Sequence, residues 1–172
     1  MRKLQLVCCS AIVLLLFVSA CSNEKNSSDA AIEYGKEFIE KLYTIDAPTV
    51  DVEEMGINFF LDYQNEFSPY LIKNEFDEMA SKRLFILPLE IAFNQNSTIT
   101  VQNIHFEKYE RDNAEENSLD FKHSFTLKFT NLDDNSEEEI EMTGQMTIVN
   151  EENELKIYRY YDNGIPAEMF NP

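Results

Sequence analysis

Phe121-Lys122-His123-Ser124-Phe125-Thr126-Leu127-Lys128-Phe129 alternates apolar and polar side chains without a break. Successive side chains on a strand point to opposite faces, so a period of two predicts a half-buried strand. Phe121, Phe125, Leu127 and Phe129 make its core side, and His123 shares their parity. Downstream, Ile140, Met142, Gly144, Met146 and Ile148 repeat the pattern against Glu141, Thr143, Gln145 and Thr147. Gly144 in mid-strand predicts a bend or a close approach. Leu155 to Tyr161 is a last strand. Asn131 to Glu139 and Asn150 to Asn153 are the turns between them.

Upstream, Thr98 to Tyr109 is a strand with a fault in its rhythm. Ile99 and Val101 share one parity, and Ile104 and Phe106 share the other. A change of parity inside one strand predicts a β-bulge, here near Gln102-Asn103. Glu110 to Ser118 is a charged loop.

The first half of the chain has helical rhythm. Ile32, Gly35, Phe38, Ile39, Leu42 and Tyr43 recur at steps of three and four, opposite Glu33, Lys36, Glu37, Glu40 and Lys41. This helix should start near Ala30, capped by Ser28 or Asp29, and end by Asp46-Ala47-Pro48. A second helix is expected over about 52–66, with Asp51 and Glu54 as a capping box. Ser68-Pro69 reads as a cap and first helical position, opening a third helix that buries Ile72, Phe76 and Met79 and runs to about Lys82. Leu84 to Phe93 fits either an edge strand, with Pro88 on the free side, or a short buried helix. Helices followed by a meander of antiparallel strands make an α+β fold: N-terminal helices packed on one face of a curved four-stranded sheet. The tail from Asp162 to Pro172 is expected to lie over one end of that sheet.

The N-terminus gives an address. Arg2 and Lys3 precede an apolar run from Leu6 to Val18, followed by Ser19, Ala20 and Cys21. This is the order of a secretory signal, and the run is short for a membrane-spanning helix of about 20 residues. Val18-Ser19-Ala20-Cys21 resembles the lipobox of bacterial lipoproteins. The resemblance implies cleavage before Cys21 and lipidation of its sulfur. Two acyl chains anchor a protein stably where one does not. The expected organisation is a signal peptide over 1–20, a lipidated cysteine and polar tether over 21–29, and one domain over 30–172, held on the extracytoplasmic face of a membrane. The three cysteines are Cys8, Cys9 and Cys21. Removing two and acylating the third leaves no thiol for catalysis, metal binding or a disulfide.

The chain has 14 basic and 32 acidic residues, a formal net charge of −18. Such a field repels nucleic acid and anionic lipid.

Three helices, then four long strands with a bulge in the first, resemble the α+β cone of the nuclear-transport-factor-two-like superfamily, to which ketosteroid isomerase belongs. The resemblance covers about Ala30 to Tyr161 and rests on the order and length of the elements. It implies a sheet wrapped around a pocket open at one end, where the family's enzymes place a carboxylate base and a hydrogen-bond donor.

His123 is the one acid/base candidate for such a pocket. The alternative is a core histidine satisfied by one hydrogen bond. No carboxylate shares its face within the four expected strands, which departs from the isomerase pattern. Tyr158, Arg159, Tyr160 and Tyr161 crowd the last strand, where rings could line a ligand site and Arg159 could pair with a ligand carboxylate. Sheet packing with phenol groups reaching water is the plainer account. Asp133 to Glu139 has oxygen ligands suited to calcium but lacks the glycine and spacing of an EF-hand, and His105 stands alone. There is no nucleophile elbow, phosphate loop or zinc-binding helix motif, and no cofactor is implied. The expected function is a non-catalytic binding module at the cell envelope, its partner an envelope protein or a small ligand. The alternative is a small-molecule enzyme using His123 as acid/base.

Overall fold

The computed structural model describes residues 27–46, 56–111 and 117–170. Within them, helix α1 covers 27–43, and α2 (Ile57–Asn65), α3 (Lys73–Ser81) and α4 (Leu87–Asn94) follow. Strands β1 (Ser97–Lys108), β2 (Ser118–Asn131), β3 (Glu137–Glu151) and β4 (Glu154–Asp162) form one antiparallel sheet in the order β1-β2-β3-β4. A 3-10 turn, Ala167–Phe170, ends the described chain. The fold is the expected α+β architecture, a meander sheet with a helical layer on one face.

The alternation of β2 is realised. Phe121, His123, Phe125, Leu127 and Phe129 are all buried. Fully burying side chains of this size stabilises a fold by about 1.5–3 kcal/mol each, so the face of β2 is a major part of the core. The bulge in β1 is where the parity change puts it: the register shifts between Gln102 and His105, with Asn103 in the left-handed region at φ 56°. A second bulge was not legible. Between Thr147 and Ile148 of β3 the pairing skips Tyr158 of β4. Bulges bend their strands and increase the local twist of the sheet.

Helix α1 lies across the concave face. Gly35 lets it close in: a Cβ there would stand 2.8 Å from Phe106 Cζ and 3.0 Å from Met146 Sδ. Phe38 meets Tyr160 edge-on at 5.2 Å, and Tyr43 tilts on Phe125 at 5.3 Å between ring centres. The segments between helices close the sheet edges. Ile45 exchanges two hydrogen bonds of 2.9 Å with Ile99 on β1. On the far side Ile157 of β4 donates to the Tyr70 carbonyl at 2.8 Å and accepts from Ile72 at 3.1 Å.

Several boundaries differ from expectation. Residues 27–29 are already helical, so Ser28 and Asp29 lie inside α1 rather than capping it. The Asp51/Glu54 box lies outside the described residues, as do 1–20 and Cys21; the second helix starts at Ile57, after Gly56 in extended conformation, later than expected. Ser68-Pro69 does not open α3. Those residues form turns, because the chain first adds Leu71 to β4 as a bridge, and α3 starts at Lys73 with Ile72 as its cap. Leu84 to Phe93 resolves as turn and helix. Pro88 falls in the first turn of α4, where a missing N–H breaks no helical bond, and Pro88, Ile91 and Ala92 form one buried face. The described part of the tail packs by the end of α4: Ile165 and Met169 are buried, and Gln95 Nε2 donates to the Met169 carbonyl at 2.8 Å.

Candidate functional site: a Tyr-Asp-Tyr cluster beside a buried histidine

Three residues form one row across the sheet. His123 pairs with Gly144, and Gly144 pairs with Asp162. Directly paired residues of antiparallel strands point to the same face, so Asp162 shares the core side with His123. This corrects the expectation that no carboxylate shares that face. The last strand runs one residue further than its apolar pattern, and that residue is the carboxylate.

Asp162 is held from both layers. Tyr43 of α1 donates its hydroxyl hydrogen to Asp162 Oδ2, and Tyr160 donates to the same oxygen at 2.7 Å. Oδ1 accepts the backbone N–H of Gly164 at 2.8 Å. Burial, reinforced by the Asp162 charge, raises Tyr43 well above the ordinary phenol range. For Tyr160 burial leads again, followed by Tyr43 and Asp162. Both phenols therefore stay neutral and keep donating at any physiological pH.

His123 packs beside this cluster without joining it. Its ring stacks on Tyr160 at 5.5 Å with 4° between planes, and on Phe125 at 5.8 Å. Neither ring nitrogen makes a hydrogen bond of ordinary geometry, although the backbone at Tyr161 and Gln145 acts on the ring as a hydrogen-bond partner does. Burial pushes the imidazole down to about 4; the Asp162 charge and the backbone at Tyr161 and Gln145 oppose this without overcoming it. A neutral, closed-in imidazole at pH 7 is the outcome.

The cluster forms the polar end of a cavity of about 320 Å³. Leu42, Leu84, Leu87, Pro88 and Ile165 supply its apolar walls, and Lys82 stands at the rim with its ammonium on Glu78 at 2.5 Å. The residues expected on the last strand separate. Tyr160 lines the cavity, and its hydroxyl meets Asp162 instead of water. Tyr158 is the bulged residue of β4 and is exposed. Arg159 points to the other face, where its Nη2 donates to Gln145 Oε1 at 3.2 Å. His123 borders a second, shallower groove with His105, Thr143 and Gly144, which shares Tyr161 and Asn163 with the cavity. That outer face also buries an unexpected polar pair, Thr147 donating to Asp120 Oδ1 at 2.6 Å. The acidic hairpin at 131–136 is an Asx-type turn in which the side chains of Asn131 and Asp134 accept backbone N–H groups. Among the described residues no three His, Cys, Asp or Glu side chains gather as a metal site requires.

Sequence reading missed Tyr43 and Asp162 as site residues. Tyr43 reads as a core-face residue of its helix, and nothing local reveals a partner more than a hundred residues away. Asp162 had a signal: it lies two residues past Tyr160 and so keeps the core parity.

The chain shares the fold of CagV. That structure, CagV from Helicobacter pylori strain 26695, superposes with a TM-score of 0.55 at 12% identity, over 80% of this chain and 99% of CagV. A periplasmic fragment of TraM gives 0.48 at 10% identity, over 80% of this chain and 98% of the fragment. The putative transfer protein TraH from the Gram-positive conjugative plasmid pIP501 gives 0.46 at 14%, over 80% and 94%. No family model matches the chain, and no curated protein sequence matches it. At these identities the likeness is one of fold.

Proposed function

We propose that the chain is a lipid-anchored, extracytoplasmic interaction module of the cell envelope, acting by binding and not by catalysis. The observation that carries this reading is α2. None of its residues is buried, yet its sequence is Ile57-Asn58-Phe59-Phe60-Leu61-Asp62-Tyr63-Gln64-Asn65. Ile57 is 74% exposed and Leu61 45% exposed. Large apolar side chains gathered on one surface element are a feature of protein contact sites. Two further points support the reading. Val18-Ser19-Ala20-Cys21 has the form of a lipobox. CagV, whose fold this chain shares, is described as a VirB8 homolog of the T4SS, and membership of a multi-component system is the kind of role proposed here. His123 as acid/base is the weaker alternative, because its nitrogens are closed in and its pKa is pushed down to about 4.

The test has two arms, both on the full chain in its own cells. Cys21→Ala should abolish fatty-acid labelling and release the protein from the membrane fraction; unchanged labelling removes the anchor from the proposal. A photo-crosslinking residue at Leu61 should give a discrete adduct with an envelope protein, and one at exposed Thr100 on β1 should not. Equal adducts from the two positions, or none from Leu61, would remove α2 as the contact surface.

A further inference from the structure

The cavity over Asp162 has a polarity that identifies its occupant. The hydroxyl hydrogens of Tyr43 and Tyr160 both go to Asp162 Oδ2. What they leave toward the cavity is acceptor capacity, lone pairs on the phenol oxygens and on the carboxylate, with Lys82 and the Asn163 amide, its Oδ1 taken by the Thr143 N–H, as donors on the same lining. The ammonium at the rim, that of Lys82, is engaged by Glu78. Apolar walls from Leu42, Leu84, Leu87 and Ile165 lead to this end. A short apolar sleeve ending in a negatively charged group of acceptors fits a group that is apolar along its length and a cationic donor at its tip.

The geometry points to this cavity as a binding site for a primary alkylammonium group, with Asp162 as its counter-ion and the two tyrosines as orienting residues. An ammonium offers three donors and no acceptor, matching a site that offers acceptors. Charge-assisted N–H···O bonds to a carboxylate are about twice as strong as neutral ones, and partial burial strengthens them further. A volume of about 320 Å³ suits a small ligand and not a folded element. The negative field of a chain with 32 acidic and 14 basic residues draws the same cations toward the mouth. This site deepens the binding-module reading and rests on it, but it uses surfaces separate from α2. Loss of amine binding with Leu61 adducts intact would overturn the site alone.

The experiment is calorimetric titration of the full chain in a non-ionic detergent, corrected with blank micelles. The probes are n-butylammonium, N-butylacetamide, butyrate and 1-butanol. Saturable binding of butylammonium alone is the expected result. Asp162→Asn should weaken it about tenfold or more, the usual scale for losing one hydrogen bond to a charged group. If that variant fails to fold, the comparison with N-butylacetamide decides instead, since it removes the charge from the ligand and leaves the protein untouched. Nα-acetyl-lysine amide carries the same butylammonium group. Its binding more tightly than the free amine, with the same dependence on Asp162, would support the site and assign the group to a lysine of a partner. Equal binding of 1-butanol or butyrate, or no binding of any amine, would overturn the proposal.

Discussion

His123 occupies the space that a side chain on its strand partner Gly144 would need. A Cβ built at 144 would lie 2.5 Å from His123 Cε1 and 2.7 Å from Nε2, and it would overlap the Tyr161 carbonyl oxygen. The glycine is required here by crowding from two neighbouring strands.

Gly144→Ala should therefore destabilise the fold by about 3 kcal/mol, the upper range for overpacking against a backbone atom that cannot rotate away. Gly35→Ala faces the tip of the Phe106 ring and the sulfur of Met146, both movable, and gains about 1 kcal/mol of helix preference. Its net cost should be below about 1.5 kcal/mol. Urea unfolding of both variants measures the difference. Equal losses would show that the crowding at 144 relaxes.

His123 should make the protein acid-sensitive in a defined window. Its pKa falls from 6.5 in the unfolded chain to about 4 in the folded one. Between these values the unfolded state binds more protons, so stability rises with pH through the window and is fully present above 6.5. The contribution is about 3 kcal/mol. His123→Phe keeps an aromatic ring between Phe125 and Tyr160 and removes two buried ring nitrogens. It should leave stability at pH 7.5 within about 1 kcal/mol of the parent and exceed the parent at pH 4.5. Unfolding curves at the two pH values test this; parallel pH dependence in parent and variant would count against a buried neutral imidazole.

Glu75 guards the edge of β4. Its Oε1 accepts the backbone N–H of Tyr160 at 2.7 Å, and burial raises its pKa. Glu75→Ala should cost about 1–3 kcal/mol by leaving that N–H without a partner. Glu75→Gln keeps a carbonyl acceptor and should recover most of the loss. Faster amide exchange at Tyr160 in the alanine variant alone is the specific sign; identical exchange in both would point to a packing role.

Arg83 ends α3 in the left-handed region at φ 60°, a conformation glycine takes without strain. Its ion pair with Glu90 is exposed and contributes little. Arg83→Gly should therefore raise stability by about 1 kcal/mol. A fall in the urea midpoint would show that the arginine contributes more than its surroundings indicate.

Much of this architecture is legible in the residues. Alternation in Phe121 to Phe129 defines β2, and the parity slip between Val101 and Ile104 locates the β1 bulge. Gly144 announces a close approach before its neighbours are known. Legibility fails where the deciding contact is distant. Pro69 has the local chemistry of a helix start, but Leu71 is claimed by Ile157, and that bridge delays the helix to Lys73. Leu84 to Phe93 alternates like a strand because a segment covered from several sides is apolar in every direction. The polar end of the cavity stayed hidden for a similar reason. Tyr43 looks like any core aromatic until the chain end brings Asp162 to its hydroxyl.

The closures at Ile45 and at Tyr70 to Ile72 have a consequence for how the chain survives its own unfolding. Each hairpin of the meander joins neighbours in sequence and can assemble locally, whereas both edge pairings wait for the N-terminal half to dock. If that half loosens, the outer rows of backbone N–H and C=O groups on β1 and β4 are uncovered together. The sheet then becomes a template for strand addition by neighbouring molecules, so the helical layer serves as its guard against aggregation.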